Sequence, residues 1–215
     1  ISYAFDYETY LEQIEPNAVQ ARGHVSQSVP MFAYDAYQYE HNLDKARKEI
    51  AKSGYEPGNI TINYVYMTGF AISEQVGLLL QQELDKIGVD LKMQPETWGR
   101  MSDLATDPKS SPNLMAVYGP SNYLHPDAYL WPCYYSDSAG TWASSNWVQS
   151  EVIDSLLEEG RKTFDEKRAE VIYQQVQVLL SWMATDVFLN PMLKRYPVQN
   201  YVNGLEPMPI MGYGY

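Results

Sequence analysis

Apolar positions recur along this chain with two different periods, and the switches between them mark its elements. Leu43, Ala46 and Ile50 fall on one face at helical spacing. Asn42 stands where an N-cap is wanted and Gly54 where a left-handed residue ends a helix, so an amphipathic helix is predicted between them. Pro57 and Gly58 signal a turn, after which Ile60, Ile62, Tyr64 and Tyr66 alternate with Thr61 and Asn63 as a strand does. Val76, Leu79, Leu80, Leu84 and Ile87 trace a second helical stripe that stops at Gly88. Val89, Leu91 and Met93 then alternate with Asp90, Lys92 and Gln94. Strand, helix and strand together predict a right-handed βαβ crossover between parallel strands.

The run from Leu114 to Tyr118 is short and continuously apolar, which predicts a buried strand at the middle of the sheet. Ser150 caps a helix carrying Ile153, Leu156 and Leu157 and closed by Gly160; Asp165 caps the longest helix, with Ala169, Ile172, Tyr173, Val176, Leu179, Leu180 and Met183 on its stripe. Val187 to Leu189 reads as a further strand, and Tyr3, Tyr7, Tyr10, Leu11 and Ile14 predict a helix over residues 1–14. Residues 15–40 and 119–147 show no sustained period, and Gly204, Pro207, Pro209 and Gly212 mark turns in the tail. No repeat, low-complexity tract or linker interrupts the chain, so residues 1–215 are expected to form a single α/β domain, a mixed central sheet flanked by helices.

Charge narrows the chemistry. Fifteen basic residues against 27 acidic ones give a net charge of -12, which repels nucleic acid and anionic lipid surfaces. The single cysteine, Cys133, forms no internal disulfide, and three scattered histidines make no clustered metal-ligand set. Dinucleotide, phosphate-loop, serine-hydrolase and zinc-protease motifs are all missing, so no cofactor is expected. Glu158 and Glu159 are neighbours on a helix and face different directions, so they do not flank one glycosidic bond. Aromatic residues are 13% of the chain, 19 of them Tyr. Such enrichment suits carbohydrate- and peptide-binding clefts, because Tyr and Trp offer rigid contact area with a polar end.

Four segments, taken in order, resemble one family: the extracytoplasmic solute-binding proteins of ABC importers, in the group that binds dipeptides and oligopeptides. They are SYAFDYETYL from Ser2 to Leu11, LDKARKEIAKSGYEPG from Leu43 to Gly58, the block from Ser73 to Trp98 with its IGVDLKM strand and Glu-Thr-Trp ending, and the long helix from Asp165 to Ala184 with VNGL from Val202 to Leu205. The resemblance implies a lobe like those of type II periplasmic binding proteins. Family members are more than twice this length and have two lobes, and the matched segments all belong to the second. The chain is therefore expected to be that C-terminal lobe, which would leave half of the solute cleft outside it.

The resemblance also places candidate ligand-binding residues. Trp98 stands in the Glu-x-Trp context of the family's ligand-wall tryptophan. Met67 and Thr68 lie at a strand end, where open α/β sheets bind. Tyr118, Asn122, Tyr123 and His125 belong to the aromatic stretch before Pro126. Counting back from Pro126, Asn122 occupies the place of the family's Asp that pairs with a peptide's amino terminus, and an amide cannot neutralise an ammonium. The implied function is capture of a peptide or similar small solute for delivery to ABC permease subunits, by a monomeric, periplasmic or cell-surface protein that performs no chemistry. An opine- or oligosaccharide-type solute, or a non-transport ligand sensor, is the alternative.

Overall fold

The computed structural model describes residues 1–118, 123–191 and 197–204. Its centre is a three-stranded sheet of order β2-β1-β3, made of β1 (Ile60–Met67), β2 (Val89–Glu96) and β3 (Leu114–Met115). Both pairings are parallel, so the sheet expected to be mixed is parallel throughout among the described residues. Ile60 is in register with Val89 and Met67 with Glu96.

Alternation along β1 divides the sheet into two faces. Tyr64 and Tyr66 stack on each other, ring centres 5.6 Å apart, and belong to a large core with Val76, Leu80 and Leu84 of α3 (Ala71–Asp85). Val65 points the other way, against Met101 and Leu104 of α4 (Trp98–Leu104). A βαβ unit buries one helix face on one sheet face, and the stripe read from the sequence is the one α3 turns inward. Helix α2 (Leu43–Ser53) forms as read: Asn42 Oδ1 accepts from the Lys45 N–H at 2.9 Å, and Gly54 ends it at φ 80°.

A second core lies among α5 (Asp127–Tyr134), α6 (Glu151–Lys162) and α7 (Glu166–Met183), with Leu130, Tyr134, Ile153, Leu157, Tyr173 and Val176 fully or almost fully buried. Ser150 and Asp165 cap α6 and α7 through hydrogen bonds to the Ile153 and Arg168 N–H groups. Val25, Val29 and Phe32 from the aperiodic segment 15–40 fill the same core. That segment is ordered by polar groups on α7. Buried Gln177 donates to Met31 O at 2.8 Å and accepts from the Ala33 N–H at 3.1 Å, and Ser181 Oγ accepts from the Tyr37 N–H at 2.9 Å. Its backbone thus finds partners without a ladder or helix.

Five further expectations are corrected. Residues 1–14 do not form one helix: α1 is a single turn, Tyr7–Thr9, followed by a π-helical turn, Tyr10–Ile14, closed by Glu15 N–H to Tyr10 O at 2.9 Å. The third strand is shorter than Leu114 to Tyr118 and flanks β1 instead of sitting in the middle. It first meets β1 at Tyr64, three residues from that strand's end, so little ladder remains for it. Helix α5 lies within the stretch read as irregular. It is buried on most of its circumference and carries Pro132, so it shows no polar face to betray its period. Helix α6 runs past Gly160, which acts as a point of close approach: a Cβ there would stand 2.8 Å from Tyr173 Cζ. Val187 to Leu189 is no strand; one backbone bond, Ala21 N–H to Leu189 O at 2.9 Å, ties it down. The tail markers Pro207, Pro209 and Gly212 lie outside the described residues, while Gly204 has φ 76°.

Candidate functional site

All three strands run the same way, so their carboxyl ends open on one edge, where the loops of an α/β sheet gather side chains. The Thr68 N–H donates to Glu96 O at 2.8 Å, which locks the ends of β1 and β2 together and leaves the Thr68 side chain exposed. Beyond Gly69, Phe70 opens α3 with its ring 40% exposed and 5.7 Å from that of Tyr118, itself 39% exposed. On the other side Thr97 caps α4 by accepting from the Arg100 N–H at 3.3 Å, which makes Trp98 the first helical residue. Trp98 is 43% exposed and meets Trp142 edge to face at 5.2 Å.

An indole so accessible is not filling the core. Met67, by contrast, is partly buried in the cluster of Val65, Met101 and Leu104, where it packs the lower sheet face. Phe70 and Trp142 were not among the sequence candidates. Phe70 was within reach of the rule that ligands gather beyond strand ends, since it follows β1 by three residues; Trp142 comes from a 3₁₀ turn, Trp142–Ser144, that no periodicity announces.

Tyr123 and His125 form a second group, fixed to the helical core. The Tyr123 hydroxyl donates to Asp127 Oδ2 at 2.5 Å, and the Asp127 N–H donates to His125 Nδ1 at 3.2 Å. The His125 ring stands edge-on to Tyr173 at 5.0 Å. Burial lowers the His125 pKa against the pull of Asp127, so the imidazole serves as a neutral acceptor. Asp127 is itself pushed up by burial, but hydrogen bonds from Arg161 and Tyr123 outweigh this and hold its carboxyl below the ordinary value. Asn122, the remaining candidate, lies outside the described residues.

Cys133 has a neighbour that its sequence position did not suggest: His24 Nε2 stands 3.4 Å from its sulfur, with Asp186 nearby, held by the Tyr134 hydroxyl at 2.8 Å. Burial pushes the thiol up to about 12 and the histidine down. At neutral pH the pair is a thiol beside an uncharged imidazole, without the thiolate that nucleophilic chemistry needs.

The fold has well-defined relatives. The structure superposes on a periplasmic binding protein of Helicobacter pylori in complex with the peptide STSA, with a TM-score of 0.79 at 20% identity, over 88% of this chain and 36% of that one. It superposes equally broadly on a binding protein of Agrobacterium tumefaciens R10 in complex with agropinic acid, with a TM-score of 0.75 at 19% identity, over 88% of this chain and 38% of that one. In sequence it is 26% identical, over 192 residues, to a probable D,D-dipeptide-binding periplasmic protein of Escherichia coli, which covers 88% of this chain and 36% of the relative. The chain thus spans about a third of the length of that curated relative. Residues 1–141 match the family described as bacterial extracellular solute-binding proteins, family 5, middle region. With two thirds of its length inside that match and its fold shared with periplasmic binding proteins, the chain belongs to the family 5 extracellular solute-binding proteins.

Proposed function

We propose that this chain is one lobe of a two-lobed receptor of an ABC importer, which takes a peptide or similar small solute into the cleft between its lobes and hands it to permease subunits in the membrane. The observation that carries this reading is the set of half-exposed aromatic rings, Phe70, Trp98 and Tyr118, held at the carboxyl edge of the sheet in a chain of this family. Rigid rings left accessible at a strand edge give contact area to a partner at small conformational cost. The ring edges, the Trp98 indole N–H and the Tyr118 hydroxyl suit the alternation of apolar and polar groups in a peptide backbone. The receptor acts outside the cytoplasm, as a monomer; relatives are named as periplasmic proteins, and no helix among the described residues is long and apolar enough to cross a membrane.

A second reading has its own support. Asn122 stands where the family resemblance expects an aspartate, and a relative of the same fold is in complex with agropinic acid, which is not a peptide. Under this reading the solute is an opine- or oligosaccharide-type compound that brings no ammonium to position 122. Native mass spectrometry of the full-length protein, purified without denaturation, separates the two. A family of peptide masses supports the first, and a single compact non-peptide mass supports the second. A protein that carries no solute and retains none from either class removes both and leaves a sensor or structural role.

A further inference from the structure

Asp127 opens α5 and is only 5% exposed. A carboxylate so buried is costly unless its oxygens are met by donors, and here they are met by groups from three directions. Arg161 of α6 donates from Nε to Oδ1 at 2.7 Å and from Nη2 to Oδ2 at 2.9 Å. Tyr123 donates to the same Oδ2 from the preceding loop, where His125 also faces the carboxylate, and Tyr173 approaches from α7. The guanidinium is fixed in turn: its carbon lies 3.3 Å from the ring centre of Trp131, and Trp131 stacks on Tyr135 at 3.8 Å, interplanar angle 18°. A fork clamped by two hydrogen bonds on its edge and a ring on its face has one position, which a lysine cannot reproduce.

We propose that Arg161 is a positioning residue of the solute site: by holding Asp127 it fixes the places of Tyr123 and His125, the two ligand-binding candidates anchored to the helical core. The inference rests on the solute-binding reading above. Tyr123 hangs on the carboxylate oxygen that Arg161 orients, and His125 accepts from the N–H of the same residue, so both inherit their geometry from one ion pair. Helix α6 thereby governs the loop before α5 through an aspartate 34 residues away in sequence.

The test uses the full-length protein and the variants Arg161→Gln and Arg161→Lys. Hydrogen exchange is followed across residues 123–130, and retention of an equimolar tri- to pentapeptide library is followed by native mass spectrometry from neutral pH down through the carboxylate range. Both variants are expected to exchange about tenfold faster across 123–130, with β1 unchanged, and to retain about tenfold less of the library. The acid limb of retention moves to higher pH in Arg161→Gln, because the Asp127 carboxyl loses the donor that holds it down. Unchanged exchange in Arg161→Gln overturns the proposal, as does full rescue by Arg161→Lys, which would make charge alone sufficient. Faster exchange with undiminished retention overturns the link to the site. If the wild type retains no library member, the peptide reading fails and exchange alone decides the clamp. If Arg161→Gln does not fold, Arg161→Lys carries both measurements.

Discussion

Gly77 shows how a missing methyl group sets the distance between elements. A Cβ on Gly77 would stand 2.6 Å from Tyr64 Cε1 and 2.7 Å from Met93 Cε, so its absence brings α3 down onto the sheet. The tyrosine ring cannot swing aside freely, since its hydroxyl donates to Ser73 O at 2.7 Å. Gly77→Ala is expected to destabilise by up to about 2 kcal/mol in urea unfolding, an overpacking cost of about 1–3 kcal/mol offset by the roughly 1 kcal/mol that alanine adds to helix propensity. An unchanged midpoint would mean that the ring yields. Cys133 invites a second check. With its thiol at about 12, iodoacetamide should leave the folded protein unlabelled near neutral pH and modify it once urea unfolds the chain; rapid labelling of the native state would contradict the burial. At this scale the position of Trp98 just after an alternating strand was legible, in a Glu-x-Trp context that resembles the family's. The Asp127–Arg161 pair was not, because nothing in either neighbourhood points to a partner 34 residues away.

Elements whose two faces meet different solvents were readable, and those whose faces do not differ were hidden. Helices α2, α6 and α7, strand β2 and the first half of β1 each turn one side to water, so their periods survive in the order of residues. Helix α5 is buried on most sides and β3 is two residues long, so neither has a period to display. The same reasoning explains residues 15–40, whose order comes from Gln177 and Ser181 on a distant helix. Caps were legible for a local reason: the capping side chain bonds a backbone group three residues on. Removing one should therefore cost what a cap costs anywhere. Asn42→Ala is expected to lower stability by about 0.5–2 kcal/mol, read from the urea midpoint, because the Lys45 N–H loses its acceptor. A neutral result would show that water replaces the side chain there.

The molecule as a whole carries its pH dependence in groups buried between elements. His24 stands edge-on to Tyr134 at 5.7 Å and to Tyr129 at 6.3 Å, and burial holds its pKa below the ordinary 6.5 despite the opposing pull of Asp186. The unfolded chain takes up this proton first, so the stability owed to a neutral His24 is complete above about 6.5 and is lost as pH falls toward the lower folded value. His24→Gln is expected to flatten the stability profile in mild acid, measured by urea unfolding at successive pH values; a profile of unchanged slope would place the titration elsewhere. Asp127 adds a similar loss further into acid, below the ordinary carboxylate value.

The order β2-β1-β3 has a consequence for how many copies of this protein can share a solution. Because β2 pairs on one side only among the described residues, every second residue aims its backbone outward, and such a row invites a strand from another copy. Glu96 O turns inward to Thr68, so the outward set is Val89, Leu91, Met93 and Pro95. The Leu91 carbonyl is already taken by Gln81 Nε2 at 2.7 Å, and Pro95 has no N–H to offer. Two interruptions in four positions leave no continuous template for a strand of another copy, which disfavours edge-to-edge pairing along β2.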